Sequence, residues 1–170
     1  KRITALAPHE EIALPDGTVL RGREVLGEAR TGRKIVLLGD CSDARLAESL
    51  GQGADLLVHE ATNAYLPQFG DKGGAAALER ETIRHGHSTP QMAGRVARRM
   101  GARALLLSHF SQRYHPANRN VMGAISRLAV KESKLSSECV KSAYDSLTLP
   151  LWQRDREKPP LPLEASAEAE

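Results

Sequence analysis

Apolar runs alternate with helix-like segments along this chain. Continuous apolar, partly β-branched runs, of the kind that form buried strands, occupy 34–38, 55–59 and 104–108. Helices are predicted over 43–50, 75–84, 90–100, 117–131 and 136–143. Turn chemistry at Leu14–Thr18 predicts a hairpin within 12–30, and 144–151 is predicted as a final strand. Strands that alternate with helices indicate an α/β fold.

The clearest helical signal runs from Pro90 to Met100. Thr89 is a good N-cap, Pro90 suits the first helical position, and Gly101 ends the pattern. Apolar residues recur on one face of this helix, at 93, 96, 97 and 100, and arginines occupy the other side.

Composition separates a folded domain from a short tail. The 170 residues are 41% hydrophobic and 26% charged, which is typical of a soluble globular protein. Residues 63–74 contain Pro67 and three glycines and are predicted as a loop. The tail is rich in proline, glutamate and alanine, so we expect a domain over 1–152 and a disordered tail over 153–170.

Several protein classes are excluded by composition. No apolar run approaches the ~20 residues that a membrane helix needs. The two cysteines, Cys41 and Cys139, are too few for a disulfide framework and lack the spacing of a zinc finger. A membrane protein and a disulfide-rich secreted protein are therefore not expected.

Positive charge is concentrated between Arg80 and Arg119. This block holds eight arginines against a single acid, Glu81. Such a block favours a polyanion such as nucleic acid, because phosphate contacts dominate that affinity. A solvated basic face explains the same charges equally well, and the sequence leaves both interpretations open.

Two polar residues follow predicted strands and suggest a metal site. Asp40 comes after the strand at 34–38, and His109 comes directly after the strand at 104–108. The carboxyl ends of neighbouring parallel strands meet at one rim, where α/β proteins build their sites. A carboxylate and an imidazole both suit zinc, although two ligands alone do not make a zinc site.

Further polar residues precede the capped helix or end a strand. His59 and Glu60 end the strand at 55–59, and His87 lies just before the N-terminus of the helix at 90–100. A histidine beside helical N–H groups could donate a proton next to a bound phosphate. Alternatively, His87 and Ser88 only terminate the loop. We interpret Cys41 as a packed residue rather than a nucleophile.

Taken together, four motifs resemble one known family. They are Gly-Asp-Cys-Ser at 39–42, His-Glu-Ala-Thr at 59–62, Gly-His-Ser-Thr-Pro-Gln-Met at 86–92 and His-Phe-Ser-Gln-Arg-Tyr at 109–114. In this order they resemble the C-terminal half of ribonuclease Z, the tRNA 3′-processing endonuclease of the metallo-β-lactamase superfamily. The motif sequences are most similar to those of the short eukaryotic form, the zinc phosphodiesterase ELAC type, and the resemblance covers about 12–150.

The resemblance implies a fold and a role for each matched residue. The fold would be the C-terminal half of the metallo-β-lactamase αββα sandwich. Asp40 would bridge two zinc ions and His109 would bind one of them. His87 would be the general acid and Glu60 would orient it. Substrate-binding positions would be Thr62, Ser88 and Arg113.

The resemblance also implies an activity, which is zinc-dependent removal of 3′ trailers from precursor tRNA. The family's His-x-His-x-Asp-His signature does not occur in these residues, and His9 and His115 do not fit its spacing. We therefore expect the C-terminal part of an intracellular enzyme, dimeric when complete and inactive as this chain alone. A non-catalytic RNA-binding or structural half-domain and another phosphodiesterase of the superfamily are the alternatives.

Overall fold

A computed structural model describes residues 6–27 and 32–151 of the chain. The predicted disordered tail at 153–170 lies outside these described residues. The chain divides into two compact units, residues 1–32 and residues 33–170.

The first unit contains a β-hairpin. Strand β1 (Glu11–Ala13) pairs antiparallel with β2 (Val19–Arg21). The turn between them is closed where the Leu14 N–H donates to the Thr18 carbonyl at 2.8 Å. A single helical turn, α1 (Gly22–Val25), follows. The predicted hairpin is confirmed.

The second unit contains a parallel four-stranded sheet in the order β3-β4-β5-β6. Its strands are β3 (Ile35–Leu37), β4 (Leu56–Glu60), β5 (Leu105–Ser108) and β6 (Val140–Ser142). Its helices are α2 (Arg45–Glu48), α3 (Ala75–Arg84), α4 (Pro90–Met100) and α5 (Arg119–Ser133). Single 3₁₀ turns occur at Pro67–Phe69 and Ser137–Cys139. The α/β expectation is confirmed.

Helix α4 has the ends that the sequence predicts. The Thr89 hydroxyl accepts a hydrogen bond from the Met92 N–H at 3.3 Å. Gly101 ends the helix in the left-handed region, at φ 58°. These local signals fix where α4 begins, directly after His87 and Ser88.

The core lies where α4 and α5 meet β4 and β5. Its fully buried side chains include Leu57, Leu105, Leu107, Met100 and Ile125. The two helices approach closely at Gly94, where an added Cβ would lie 2.5 Å from the Ala129 carbonyl oxygen. Only glycine therefore permits this helix–helix distance.

Three local predictions are wrong. The segment 136–143 is not a helix, because Val140–Ser142 pairs with β5 as strand β6. The segment 144–151 forms no strand. The run at 34–38 is a strand but not a buried one, because β3 lies at the sheet edge with Leu37 73% exposed.

Within the described residues, no helix combines the length and the apolar character required to cross a bilayer.

Candidate active site

Three strands and one helix bring four chemically active side chains together. Asp40 follows β3, Glu60 ends β4, and His109 follows β5, so the parallel strands deliver them to one rim. His87 enters from the loop before α4. One potential ligand atom from each of these four residues lies within 4.8 Å of the others. The structure thus assembles the predicted catalytic and metal-binding residues in one place.

Glu60 is the buried centre of this arrangement. One carboxylate oxygen accepts the Cys41 N–H at 2.7 Å and lies 3.2 Å from His87 Nδ1. The other accepts the Thr62 hydroxyl at 2.6 Å and the Ser88 N–H at 2.9 Å. Two donors on each oxygen fill the usual acceptor capacity of a carboxylate. Both oxygens of Glu60 are therefore occupied, which disfavours this carboxylate as a metal ligand.

Hydrogen bonding keeps Glu60 ionised. Burial alone would raise its pKa, because the charged form loses hydration. The donors from Ser88, Thr62, Cys41 and His87 outweigh that effect, and together they lower the pKa of the carboxyl. The hydrogen bonds therefore favour the ionised form of this buried carboxyl.

His87 is held at one ring nitrogen and open at the other. Its Nδ1 faces Glu60, and its side chain is 25% exposed. The ring stacks on that of His109, with centroids 5.3 Å apart and planes inclined by 29°. A proton on Nδ1 therefore points to the carboxylate, which leaves Nε2 for an external partner.

His109 adopts a backbone conformation that is uncommon for its residue type. Its φ is 51°, in the left-handed region, where strained non-glycine residues cluster at functional sites. The Thr62 hydroxyl lies 2.9 Å from His109 Nδ1 and 2.9 Å from its carbonyl oxygen. Nε2 is directed at Asp40, 3.2 Å from Oδ1.

Asp40 and His109 fit a zinc ion. Both side chains are about half exposed, at 60% and 49%, so their donor atoms are accessible. Zinc-binding histidines hold their second ring nitrogen by a hydrogen bond, as Thr62 holds Nδ1 here. Since Glu60 is saturated and His87 Nδ1 faces it, these two side chains are the best-placed donors.

Two of the three predicted substrate-binding residues lie at the site but face inward. Thr62 is 9% exposed and Ser88 is 2% exposed. The Thr62 hydroxyl is engaged by Glu60 and His109, and the Ser88 hydroxyl donates to the Cys41 carbonyl at 2.6 Å. Their side chains support the site from within, and their role toward substrate stays a prediction.

Arg113, the third, lies against the loop at 63–74 instead of the four clustered residues. Its guanidinium contacts Asp71 at 3.0 Å and the Ala64 carbonyl at 2.7 Å. It also lies over the Tyr114 ring, 4.6 Å from the centroid. The guanidinium thus braces this loop, and its role toward RNA also stays a prediction.

Cys41 contributes a group that the sequence could not reveal. Its backbone N–H, not its thiol, binds Glu60. The thiol lies 4.0 Å from Nε2 of His59, which is buried. Burial is the largest cause that raises the pKa of this thiol. A raised pKa accords with the predicted packing role, because the thiol remains protonated and weakly nucleophilic.

Ion pairs neutralise most of the basic block. Five of its eight arginines lie within salt-bridge distance of a carboxylate. The pairs are Arg84–Glu81, Arg95–Glu79, Arg99–Glu48, Arg103–Asp55 and Arg113–Asp71. Four of these acids come from outside the block in sequence. The block is therefore not one continuous positive surface.

Comparison with known proteins identifies the relatives of the chain. It is 44% identical over 110 residues to ribonuclease Z from Brevibacillus brevis, which covers 65% of this chain and 31% of the relative. It is 38% identical over 139 residues to ribonuclease Z from Microcystis aeruginosa, covering 82% of this chain and 39% of the relative. The chain thus spans about a third of the length of these curated relatives. No protein-family model matches it.

Two solved structures are also similar over part of the chain. Human tRNase Z, short form, shares 44% identity, with a TM-score of 0.39 over 48% of this chain and 28% of the human one. A metallo-β-lactamase fold protein from Bacillus subtilis shares 24% identity, with a TM-score of 0.40 over 59% of this chain and 34% of that protein. On the sequence relationship, the chain is a homologue of part of ribonuclease Z.

Proposed function

We propose that this chain supplies the acid–base pair and part of the zinc site of an endonuclease that removes 3′ trailers from precursor tRNA. The products would be a tRNA with a 3′-hydroxyl and a trailer with a 5′-phosphate. One observation carries the proposal. In a ribonuclease Z homologue, the His87–Glu60 pair lies within 4.8 Å of the zinc-compatible side chains Asp40 and His109.

His87 is suited to act as the general acid. The Glu60 carboxylate orients the imidazole through Nδ1 at 3.2 Å. Because Nε2 is left for an external partner, it can carry a proton to the departing ribose oxygen of the tRNA. Glu60 is buried and does not itself reach the substrate.

Asp40 and His109 would hold zinc. When bound, zinc would supply Lewis-acid stabilisation of the phosphoryl oxygens and an activated water at neutral pH. Zinc sites normally take three or four protein ligands, and two ions would need more. The remaining donors must therefore come from outside the described residues, which is why we expect weak zinc binding and no cleavage by this chain alone.

The test separates the two roles in the full-length protein. His109→Ala should lose bound zinc and cleavage together, whereas His87→Ala should keep its zinc and lose 10²–10⁴-fold in rate, the usual contribution of a general acid. Zinc content is measured by atomic emission and cleavage on a 3′-extended tRNA transcript. His9→Ala, an exposed histidine outside the cluster, is the control and should change neither. Full cleavage by His87→Ala or His109→Ala would refute the assigned roles.

A non-catalytic RNA-binding half-domain is the second candidate. It is favoured by the small number of free zinc donors, Asp40 and His109. Under this alternative, the full-length protein would bind tRNA without cleaving it. We also propose an intracellular location and a homodimer. Analytical ultracentrifugation of the full-length protein would test the dimer.

A further inference from the structure

A groove leads away from His109 across the surface of the second unit. Its near part, a cavity of about 530 Å³, is lined by His109, the following loop at 110–116, and Tyr144. Its far part, of about 820 Å³, lies between α5 and the edge strand β6. The two parts share the lining residues Pro116, Met122, Ala143 and Tyr144. The groove is therefore continuous with the proposed active site.

Cations and an exposed aromatic ring line the groove. Arg119 begins α5, and Lys141 lies on β6. Neither has an ion-pair partner within residues 6–27 and 32–151. Tyr144 stands where the two parts join, with 53% of its surface exposed. The single acid in the lining is Asp145, in the near part.

Arg119 is distinctive within the basic block. Most arginines of the block are neutralised by the five ion pairs described above. Among the described residues, Arg119, Arg80 and Arg98 have no such ion pair, and of these three Arg119 alone lines the groove. One unpaired cation of the block, Arg119, thus lies on the path that leads to His109.

Hydroxyl groups lie among the apolar side chains that line the groove. The Ser126 and Ser142 hydroxyls lie 2.8 Å apart between α5 and β6, and the Ser142 hydroxyl donates to the Met122 carbonyl at 3.3 Å. Lys141, Ser126 and Ser142 disfavour a protein partner here, because lysine and serine are depleted in protein interfaces. Cations beside an accessible aromatic ring are instead the combination that binds single-stranded nucleic acid.

We propose that this groove binds the single-stranded RNA next to the scissile phosphate. Arg119 and Lys141 contact backbone phosphates, and Tyr144 stacks on a base. The inference rests on the proposed function, because it places the RNA relative to the proposed active site at His109. It assigns a substrate-binding role to three residues that none of the four sequence motifs contains.

The test measures RNA binding by the full-length protein across a salt series. Three single-stranded probes are used, covering the last nucleotides before the cleavage site, the first nucleotides after it, and both. Arg119→Gln with Lys141→Gln should lower the slope of log K against log salt by about 1.4, which is about 0.7 per lost phosphate contact. Tyr144→Ala should weaken binding at least about fivefold, and Tyr144→Phe should restore it.

Controls make each outcome decisive. Arg98→Gln removes an exposed arginine outside the groove, one without an ion pair in the described part of the chain, and should leave the slope unchanged. Turnover of a small chromogenic phosphodiester, which carries no flanking nucleotides, should be unaffected by all the groove variants. Weaker binding of either flanking probe by the groove variants supports the proposal and shows which side of the cleavage site the groove holds.

Two results would overturn the inference. Unchanged RNA binding by the groove variants, with normal turnover of the small diester, would refute the groove while leaving the proposed function intact. A change in sedimentation without a change in RNA binding would make the groove a contact between copies of the protein. Absence of turnover on every substrate in the unmodified protein would instead count against the proposed function.

Discussion

The saturated carboxylate of Glu60 leads to a quantitative prediction for Glu60→Gln. Glutamine keeps the shape of the side chain but replaces one acceptor oxygen by an NH₂ donor. Whichever way the amide points, this NH₂ meets the backbone N–H of either Cys41 or Ser88. The His87 ring and the Thr62 hydroxyl can redirect their protons, but a backbone N–H cannot. One buried N–H is therefore left without an acceptor.

The cost of this substitution follows from two losses. A buried donor left unsatisfied costs about 1–3 kcal/mol. The bonds that remain also weaken from charge-assisted to neutral, by roughly 1 kcal/mol each. We expect a total of about 3–5 kcal/mol, which is a large fraction of the stability of a small domain.

Urea unfolding followed by circular dichroism measures this change. The matched control is Glu81→Gln, whose carboxylate is 54% exposed and pairs with Arg84 on the surface. Exposed ion pairs contribute at most about 1 kcal/mol, so the control should unfold close to the parent. If Glu60→Gln unfolds within 0.5 kcal/mol of the parent, the carboxylate does not carry the four hydrogen bonds at once, and the reasoning fails.

Two further predictions concern the stability of the fold at low pH and the packing of α4 against α5. Because the pKa of Glu60 is lowered in the fold, its stabilising contribution is present above the usual carboxyl range and is lost as pH falls through that lowered pKa. The unfolding free energy of Glu60→Gln should therefore fall less between pH 6 and pH 3 than that of the parent. Gly94→Ala would place a Cβ 2.5 Å from the Ala129 carbonyl oxygen and should destabilise by about 1–3 kcal/mol. Gly123→Ala, whose nearest neighbour would be a flexible arginine end at 3.4 Å, should instead be neutral or stabilising in the same thermal melt. Equal melting temperatures for the two alanine variants would contradict the close helix contact.

Strong local signals in the sequence were sufficient to place individual helices and strands. Thr89, Pro90 and Gly101 fix both ends of α4, and the apolar run at 55–59 identifies β4. The segment 136–143 carries no such signal, because its three-residue strand exists only through pairing with β5. A short strand defined by a distant partner cannot be deduced from its own residues.

The sequence predicts that the four clustered residues lie close together, but it does not predict how they interact. The positions of Asp40 and His109 after two apolar runs place them on one rim, and the four motifs add Glu60 and His87. Sequence does not show that Thr62 and Ser88 face inward, nor that a backbone N–H of Cys41 completes the carboxylate. The sequence also shows how many arginines the basic block contains, but not the acidic residues from distant segments that pair with them.

The Glu60 carboxylate has a consequence for motion. It joins the loop after β3, the end of β4 and the loop before α4, so these segments cannot separate without breaking bonds to one buried charge. The amides of Cys41 and Ser88 should therefore exchange their hydrogens slowly and together, at a rate set by the opening of the whole cluster. The Glu60–His87 pair is thus held in place by the protein itself, and under the proposed function little ordering entropy would remain to be lost when metal and RNA bind.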